Sequence, residues 1–295
     1  MRRMTLLPML VAATVLAAMA GPAPAAQPSL KCLIVDGQNN HNWKETSPVM
    51  KQILEDSGVF TVHVATSPDK KGDMSGFKPE FAKYDVVLLN YNGQAWPEAT
   101  NQAFLDYVKG GGGVVVVHAA DNAFGNWKEY NEIIALGGWG GRNEKSGPYV
   151  YYKDGKVVRD TSPGRGGSHG PQYPIQIVAR EPDHPVMKGL PEKFMHSQEE
   201  LYHSLRGPAK NLTILATALA KKEMRGTGRH EPVLMDIRYG DGRIFHTVLG
   251  HAVTQMKSVA FIVTLQRGAE WAATGKVTQK VPDDMPTADE PKRRE

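Results

Sequence analysis

The chain has 295 residues, one cysteine and a formal net charge of +4. Its length is ample for one large hydrophobic core. The single cysteine, Cys32, excludes a disulfide within the chain, and positive charges that are scattered rather than interleaved with aromatic residues argue against a nucleic-acid-binding protein.

The N-terminal residues predict a secretory signal peptide over residues 1–25. Arg2 and Arg3 precede an uncharged apolar run from Leu6 to Ala20, and Ala23-Pro24-Ala25 supplies the small residues of a cleavage site. The apolar run is short for a membrane span, and an uncleaved anchor is the alternative. We therefore expect an exported protein, periplasmic or extracellular, that does not span a membrane.

Residues 30–273 form one predicted domain of alternating strands and helices. Short apolar runs predict strands, and the four valines from Val114 to Val117 are the strongest signal for a central strand. The predicted strands of the first half cover 31–35, 60–64, 85–90 and 114–117, and the predicted helices begin at Ser47 and cover 99–109. This alternation predicts an α/β fold with a doubly wound, mostly parallel sheet and helices on both faces.

The second half predicts further strands and a final helix. Asp154-Gly155 predicts the turn of a hairpin over 149–159. The other predicted elements are a helix over 127–136, strands over 212–218, 233–239 and 243–248, and an amphipathic helix over 258–273. Residues 280–295 are rich in proline and charge and predict a disordered tail.

Polar side chains follow the predicted strands at their carboxyl ends. Ligands of open α/β sheets bind at that edge, so these side chains are expected to share one crevice. No GxGxxG motif follows the first strand, so no nucleotide cofactor is expected. The strand-end candidates are Asp36, Asn40, His41 and Trp43 after the first strand, Asn92 after the third, His118 and Asp121 after the fourth, and His251 after the strand at 243–248.

Histidine is the main candidate for chemistry in this crevice. His118 directly follows the four valines and His251 follows another strand, so both are candidate catalytic residues, with Glu200 as a candidate acid. If a metal is bound, His41, His118 and His251 are the candidate ligands of a divalent ion such as zinc. Plain acid–base and hydrogen-bonding roles are the alternative.

Several stretches resemble the ThuA-like family of trehalose utilisation, and together they cover roughly residues 31–272. They are residues 36–43, 118–124, 137–142, 184–191, 199–202 and 242–251. The resemblance implies the flavodoxin-like fold of the class I glutamine amidotransferase-like superfamily. Relatives in that superfamily have a cysteine nucleophile after the central strand, where this chain has His118, so the resemblance argues against glutaminase chemistry.

The resemblance also implies a carbohydrate ligand, either a disaccharide or a 3-keto-glycoside. A 3-keto group acidifies the neighbouring C–H, so a base such as His118 or His251 could remove that proton and a glycosidic bond could be eliminated, with Glu200 as the acid. The candidate substrate-binding residues are Trp43, Trp139 and Tyr202, which could stack on a sugar ring, and Asp36, Asn40, His41, Asn92, Asp121 and Arg142.

Two functions are compatible with these features. The first is an exported enzyme that cleaves disaccharides or 3-keto-glycosides by histidine-centred acid–base chemistry, with metal assistance if an ion is bound. The second is a non-catalytic sugar-binding or scaffolding protein. Both predict a small-molecule carbohydrate as the partner, neither predicts nucleic acid, and a homo-oligomer is left open.

Overall fold

The computed structural model of the protein describes Met1 and residues 29–295. Apart from Met1, the predicted signal peptide lies outside the described residues and stays a prediction. Within the described part, eleven strands form one mixed sheet and two short strands form a separate ladder. No helix in residues 29–295 combines the length and the apolar character that a membrane span requires.

The helices and strands follow the apolar runs of the sequence. The strands are β1 (Leu30–Asp36), β2 (Phe60–Thr66), β3 (Val86–Leu89), β4 (Gly113–Val117), β5 (Tyr149–Lys153), β6 (Lys156–Asp160), β7 (Ser168–His169), β8 (Tyr173–Ala179), β9 (Lys193–Glu199), β10 (Tyr202–His203), β11 (Leu212–Leu219), β12 (His230–Tyr239) and β13 (Gly242–Thr247). The helices are α1 (Trp43–Asp56), α2 (Glu98–Lys109), α3 (Lys128–Ile134), α4 (Val253–Met256) and α5 (Val259–Thr274).

The sheet has a parallel part and an antiparallel part. Its strand order is β2-β1-β3-β4-β13-β12-β11-β8-β9, and the hairpin of β5 and β6 attaches beside β12. β2, β1, β3, β4 and β13 are parallel. β12, β11, β8 and β9 pair antiparallel with their neighbours. The predicted α/β class with a mostly parallel, flavodoxin-like sheet is confirmed.

Helices cover both faces of the parallel part. The side chain of Phe245 on β13 faces α5, where a Cβ added to Gly268 would come within 2.2 Å of the Phe245 ring. The next residue, His246, contacts the carbonyl of Ile134 in α3 at 2.9 Å through Nδ1. Because successive residues of a strand point to opposite faces, α5 and α3 lie on opposite sides of the sheet.

The first helix begins earlier than its sequence pattern predicts. α1 starts at Trp43 rather than at Ser47, so Pro48 lies inside the helix. The hydroxyls of Thr46 and Ser47 accept hydrogen bonds from Asn90 Nδ2, each at 3.0 Å. Ser47 therefore ties α1 to the end of β3 instead of capping a helix.

Residues 280–295 differ from the predicted disordered tail. The carbonyl of Thr287 accepts a hydrogen bond from the amide of Met195 on β9, and the carbonyl of Lys292 accepts one from the amide of Val259 at the start of α5. Composition predicted disorder because the segment has few apolar groups of its own. A sheet edge and a helix start supply unpaired backbone N–H groups, which order the segment through hydrogen bonds instead.

Candidate functional site

Four side chains meet at the carboxyl edge of the parallel strands. His41 lies in the loop after β1, His118 directly follows β4, and His251 lies shortly after β13. Glu200 directly follows β9 and so comes from the antiparallel part of the sheet. One donor atom from each residue lies within 4.8 Å of the other three. We call these four residues the histidine–glutamate cluster.

Glu200 lies at the centre of the cluster. Its Oε1 atom is 3.0 Å from His251 Nδ1 and 3.5 Å from His118 Nε2. His41 Nε2 is 3.6 Å from the same oxygen. Burial opposes a charge on Glu200, but the three adjacent imidazoles outweigh it and hold the pKa of the carboxyl well below its usual range. The carboxylate is therefore ionised at neutral pH.

His118 is held in one orientation by the backbone. Its Nδ1 atom is 2.6 Å from the carbonyl of Val248. Because a carbonyl only accepts hydrogen bonds, Nδ1 carries the proton and the lone pair of the neutral ring is on Nε2, which faces Glu200. The φ angle of His118 is 46°, in the left-handed region. This conformation costs on the order of 1–2 kcal/mol, which the buried surroundings offset.

Two histidines of the cluster differ in proton affinity. Burial lowers the pKa of His41 below its usual value, and the neighbouring Glu200 offsets this only in part. Burial acts in the same direction on His118, but interaction with Glu200 and Glu199 outweighs it and raises the pKa of His118. The same carboxylate therefore faces one imidazole that resists protonation and one that favours it.

A cavity of about 640 Å³ opens above the cluster. The amide side chains of Asn40 and Asn92 form one wall and bond to each other. Trp139 and Tyr202 form an aromatic wall, with ring centroids 4.7 Å apart. The lining residues are Asn40, His41, Asn42, Asn92, Asn122, Trp139, His169, Glu200, Tyr202, His251 and Ala252. Amides and aromatic rings are the groups that bind the hydroxyls and the apolar faces of sugars.

Two predicted substrate-binding residues point into the protein rather than into the cavity. Asp121 is fully buried, and its Oδ2 atom lies 3.6 Å from Nε2 of the equally buried His246. Arg142 is 3% exposed and donates hydrogen bonds to the carbonyls of Asn122, Ala123 and Gly138. Arg142 therefore holds loops beneath the cavity, and neither residue lines the cavity.

Two further candidates lie to the side of the cavity. Asp36 at the end of β1 is 2% exposed, and burial raises the pKa of its carboxyl. Gly37 lies directly against Ser67, whose amide donates a hydrogen bond to the carbonyl of Asp36 at 2.9 Å. Trp43 starts α1 and lines a separate depression with Asp69.

His169 belongs to the site but was not among the sequence candidates. Its Nδ1 atom lies 3.5 Å from Glu200 Oε2 and 2.9 Å from the carbonyl of Gly170. The residue sits on β7, which pairs with β10 so that His169 lies opposite Tyr202. A two-residue strand in a glycine-rich loop has no apolar pattern, so only the pairing with β10 reveals its position.

The donor set of the cluster fits a divalent metal ion. Imidazole nitrogens and carboxylate oxygens are ligands of zinc and of other divalent transition metals. His118 Nε2 and His251 Nδ1 are buried without a hydrogen-bond partner, because their contacts with Glu200 lack hydrogen-bond alignment. A cation between these atoms would satisfy both. The structure thus brings Glu200, a predicted acid, into the same donor set as the three predicted ligands.

The comparisons with known proteins agree on one family. The family model described as ThuA, trehalose utilisation, matches residues 31–272. A solved structure from Parabacteroides merdae, described as ThuA-like, is 55% identical with a TM-score of 0.88, covering 90% of this chain and 98% of its own. A ThuA-like structure from Bacteroides uniformis is 19% identical with a TM-score of 0.57, covering 89% and 97%. No curated protein matches the chain.

Proposed function

Because the chain belongs to the ThuA family of trehalose utilisation, we propose that it is an exported, metal-dependent enzyme that cleaves disaccharides or 3-keto-glycosides. The observation that carries this proposal is the histidine–glutamate cluster at the floor of a cavity with an amide wall and an aromatic wall. The cavity is open to solvent and large enough for two sugar rings. A carbohydrate-related role is the part that the family itself supports.

Four residues would hold the metal. The ligand atoms are His41 Nε2, His118 Nε2, Glu200 Oε1 and His251 Nδ1. A divalent ion there would polarise a sugar carbonyl oxygen and so acidify the neighbouring C–H. In this arrangement His118 and His251 use their lone pairs as ligands, and another group must accept the substrate proton.

We assign His169 as the base that accepts the substrate proton. Its Nδ1–H donates to the carbonyl of Gly170, so the lone pair of the neutral ring is on Nε2. The ring is partly exposed and lines the cavity between Trp139 and Tyr202. His169 is the cavity histidine outside the donor set, and it stands next to the surface where a sugar ring would stack.

The proposed reaction is an elimination on a 3-keto-glycoside. His169 Nε2 takes the proton from C2, next to the ketone. The electron pair of that C–H bond forms a C1=C2 double bond, and the bond from C1 to the glycosidic oxygen breaks. The leaving sugar oxygen takes up a proton from solvent water and His169 releases its proton to solvent, so the protons balance and the step needs no oxidant and no reductant. A positioned base of this kind contributes about 10²–10⁴-fold to the rate.

The test separates metal ligands from the base. The mature protein is purified, its metal content is measured, and sugar release is followed with 3-keto-trehalose and trehalose. H118A is expected to lose both bound metal and turnover. H169A is expected to keep the metal and lose turnover by about 10²-fold or more. H63A, at an exposed histidine on β2, is the matched control and should keep both.

Three results would contradict the proposal. A wild-type protein that binds sugar but releases no product with either substrate would favour the non-catalytic alternative. Full turnover by the metal-free wild-type protein would refute the claim that the reaction depends on a metal ion. Unchanged turnover in H169A would refute the assignment of the base while leaving the metal in place.

A further inference from the structure

The histidine–glutamate cluster is assembled from strands that the sheet does not hold next to each other. His251 follows β13, and Glu200 follows β9. In the sheet order β12, β11 and β8 lie between these two strands. Ladder hydrogen bonds therefore fix each strand against its neighbours but do not fix Glu200 against His251.

Glu199 spans this gap. Its side chain is fully buried behind the cluster, and Oε2 accepts a hydrogen bond from the amide of Gly250 at 2.7 Å. Oε1 accepts one from the amide of Glu200 at 3.1 Å. One carboxylate thus bonds the backbone beside two members of the cluster, 51 residues apart in the chain.

His196 completes the arrangement. It is fully buried on β9, and its Nε2 atom lies 3.2 Å from Glu199 Oε2. An N–H at that position, donated to a carboxylate, is a charge-assisted bond, which is shorter and stronger than a neutral one. Gly250 allows the close approach: a Cβ there would come within 2.8 Å of the Phe261 ring, and its φ is +105°.

We propose that Glu199 is a positioning residue that sets the distance between Glu200 and His251. The proposal rests on the proposed function, because its consequence is the affinity of the cluster for a divalent ion. Groups directly behind metal ligands change metal affinity by about 10–100-fold when they are replaced. Glu199 itself contributes no ligand atom, since both of its oxygens are engaged with the backbone.

The variant E199Q isolates this role. A glutamine has one accepting oxygen, so its NH₂ group must face either the Gly250 amide or the Glu200 amide, donor against donor. β9 stays attached at another point, because the amide of Ser197 donates to Ser258 Oγ at 3.1 Å. The variant is thus expected to fold and to lose the alignment of the cluster.

The probes are zinc alone and cobalt alone. Dissociation constants are measured by competition with a chelator, and the visible absorption of bound cobalt reports the ligand geometry. E199Q should raise the Kd for zinc by about 10–100-fold and alter the cobalt spectrum. The matched control is E270Q: Glu270 is 3% exposed and accepts hydrogen bonds from the amides of Thr278 and Gln279, far from the site. Its zinc affinity and cobalt spectrum should equal those of the wild type.

The outcomes are distinct. An unchanged Kd and spectrum in E199Q, with normal binding by the wild type, overturns the positioning role and leaves the proposed function intact. A wild type that binds neither ion overturns both. If E199Q does not fold, the variant E199D replaces it in the test. Aspartate keeps the charge beside His196 but is too short to reach both amides. A Kd for zinc raised tenfold or more in E199D supports the positioning role, and an unchanged Kd overturns it.

Discussion

Replacing Arg142 should destabilise the protein rather than act directly on its ligand. The guanidinium donates Nη2 to the carbonyl of Ala123 at 2.7 Å and Nη1 to the carbonyl of Gly138 at 2.8 Å. Nη1 also reaches the carbonyl of Asn122 at 3.2 Å, and Nε donates to Asn131 Oδ1 at 3.0 Å. R142M keeps most of the side-chain volume and removes all of these donors.

The expected loss follows from the four acceptors that remain. A buried acceptor without a donor costs about 1–3 kcal/mol, so the buried carbonyls of Ala123 and Gly138 alone would give about 2–6 kcal/mol, and the partly buried oxygens of Asn122 and Asn131 add less. Part of this is offset, because burying a guanidinium is itself unfavourable, as shown by the lowered pKa of Arg142, for which burial is the main cause. After this offset, we expect a loss of about 2–4 kcal/mol.

Urea unfolding followed by tryptophan fluorescence measures this loss. R165M is the control, because Arg165 is exposed on a nearby loop and should change the free energy of unfolding by about 0.5 kcal/mol or less. A loss below about 1 kcal/mol in R142M, together with weakened sugar binding, would refute the structural role of Arg142. Such a result would instead support the predicted role of Arg142 in substrate binding.

Three further predictions concern the cluster, a buried acid and the C-terminal segment. Zinc at 100 times its Kd should raise the free energy of unfolding by about 2.7 kcal/mol, and H118A should remove the response to zinc in a thermal melt. Burial raises the pKa of Glu231 from 4.5 to about 7, so the folded state holds this proton more tightly than the unfolded state. Stability should therefore fall by about 3 kcal/mol as the pH rises from 4.5 through 7, and E231Q should flatten this part of the curve in urea titrations at several pH values. Limited trypsin digestion should leave Lys280 and Lys292 uncleaved while the domain is folded; rapid loss of the C-terminal segment would instead support the predicted disorder.

The parallel part of the fold was predictable because four of its five strands, β1, β3, β4 and β13, are buried on both faces. Such strands are continuous apolar runs, as in Val114–Val117, and they need no knowledge of partners to be found. β9 was missed because it has no such run: its sequence is KFMHSQE, and His196, Ser197 and Glu199 are buried polar residues. These polar residues are buried because they support the site at the end of the strand. A search for apolar runs therefore does not find this strand.

The candidate site was predictable where side chains leave regular strands at one edge. His41, His118 and His251 follow three strands of the parallel part, so the rule for strand ends brought them together. Asp121 lies in a short 3-10 helix after β4 and Arg142 lies in a turn, and both segments are too short for a periodicity that tells which way a side chain points. Their inward orientation depends on tertiary partners, His246 for the first and three backbone carbonyls for the second.

The site joins groups supported by the main sheet to one that lies on the small ladder. His118 is oriented by a backbone bond to Val248, and Glu200 and His251 are linked through Glu199, so three of the four cluster residues have backbone support from the main sheet. His169 belongs to a two-residue strand outside that sheet. A metal needs fixed ligand distances, whereas a base must approach substrates and release products. The placement of the ligands on the large sheet and of the base on the small ladder is compatible with the proposed metal-assisted elimination.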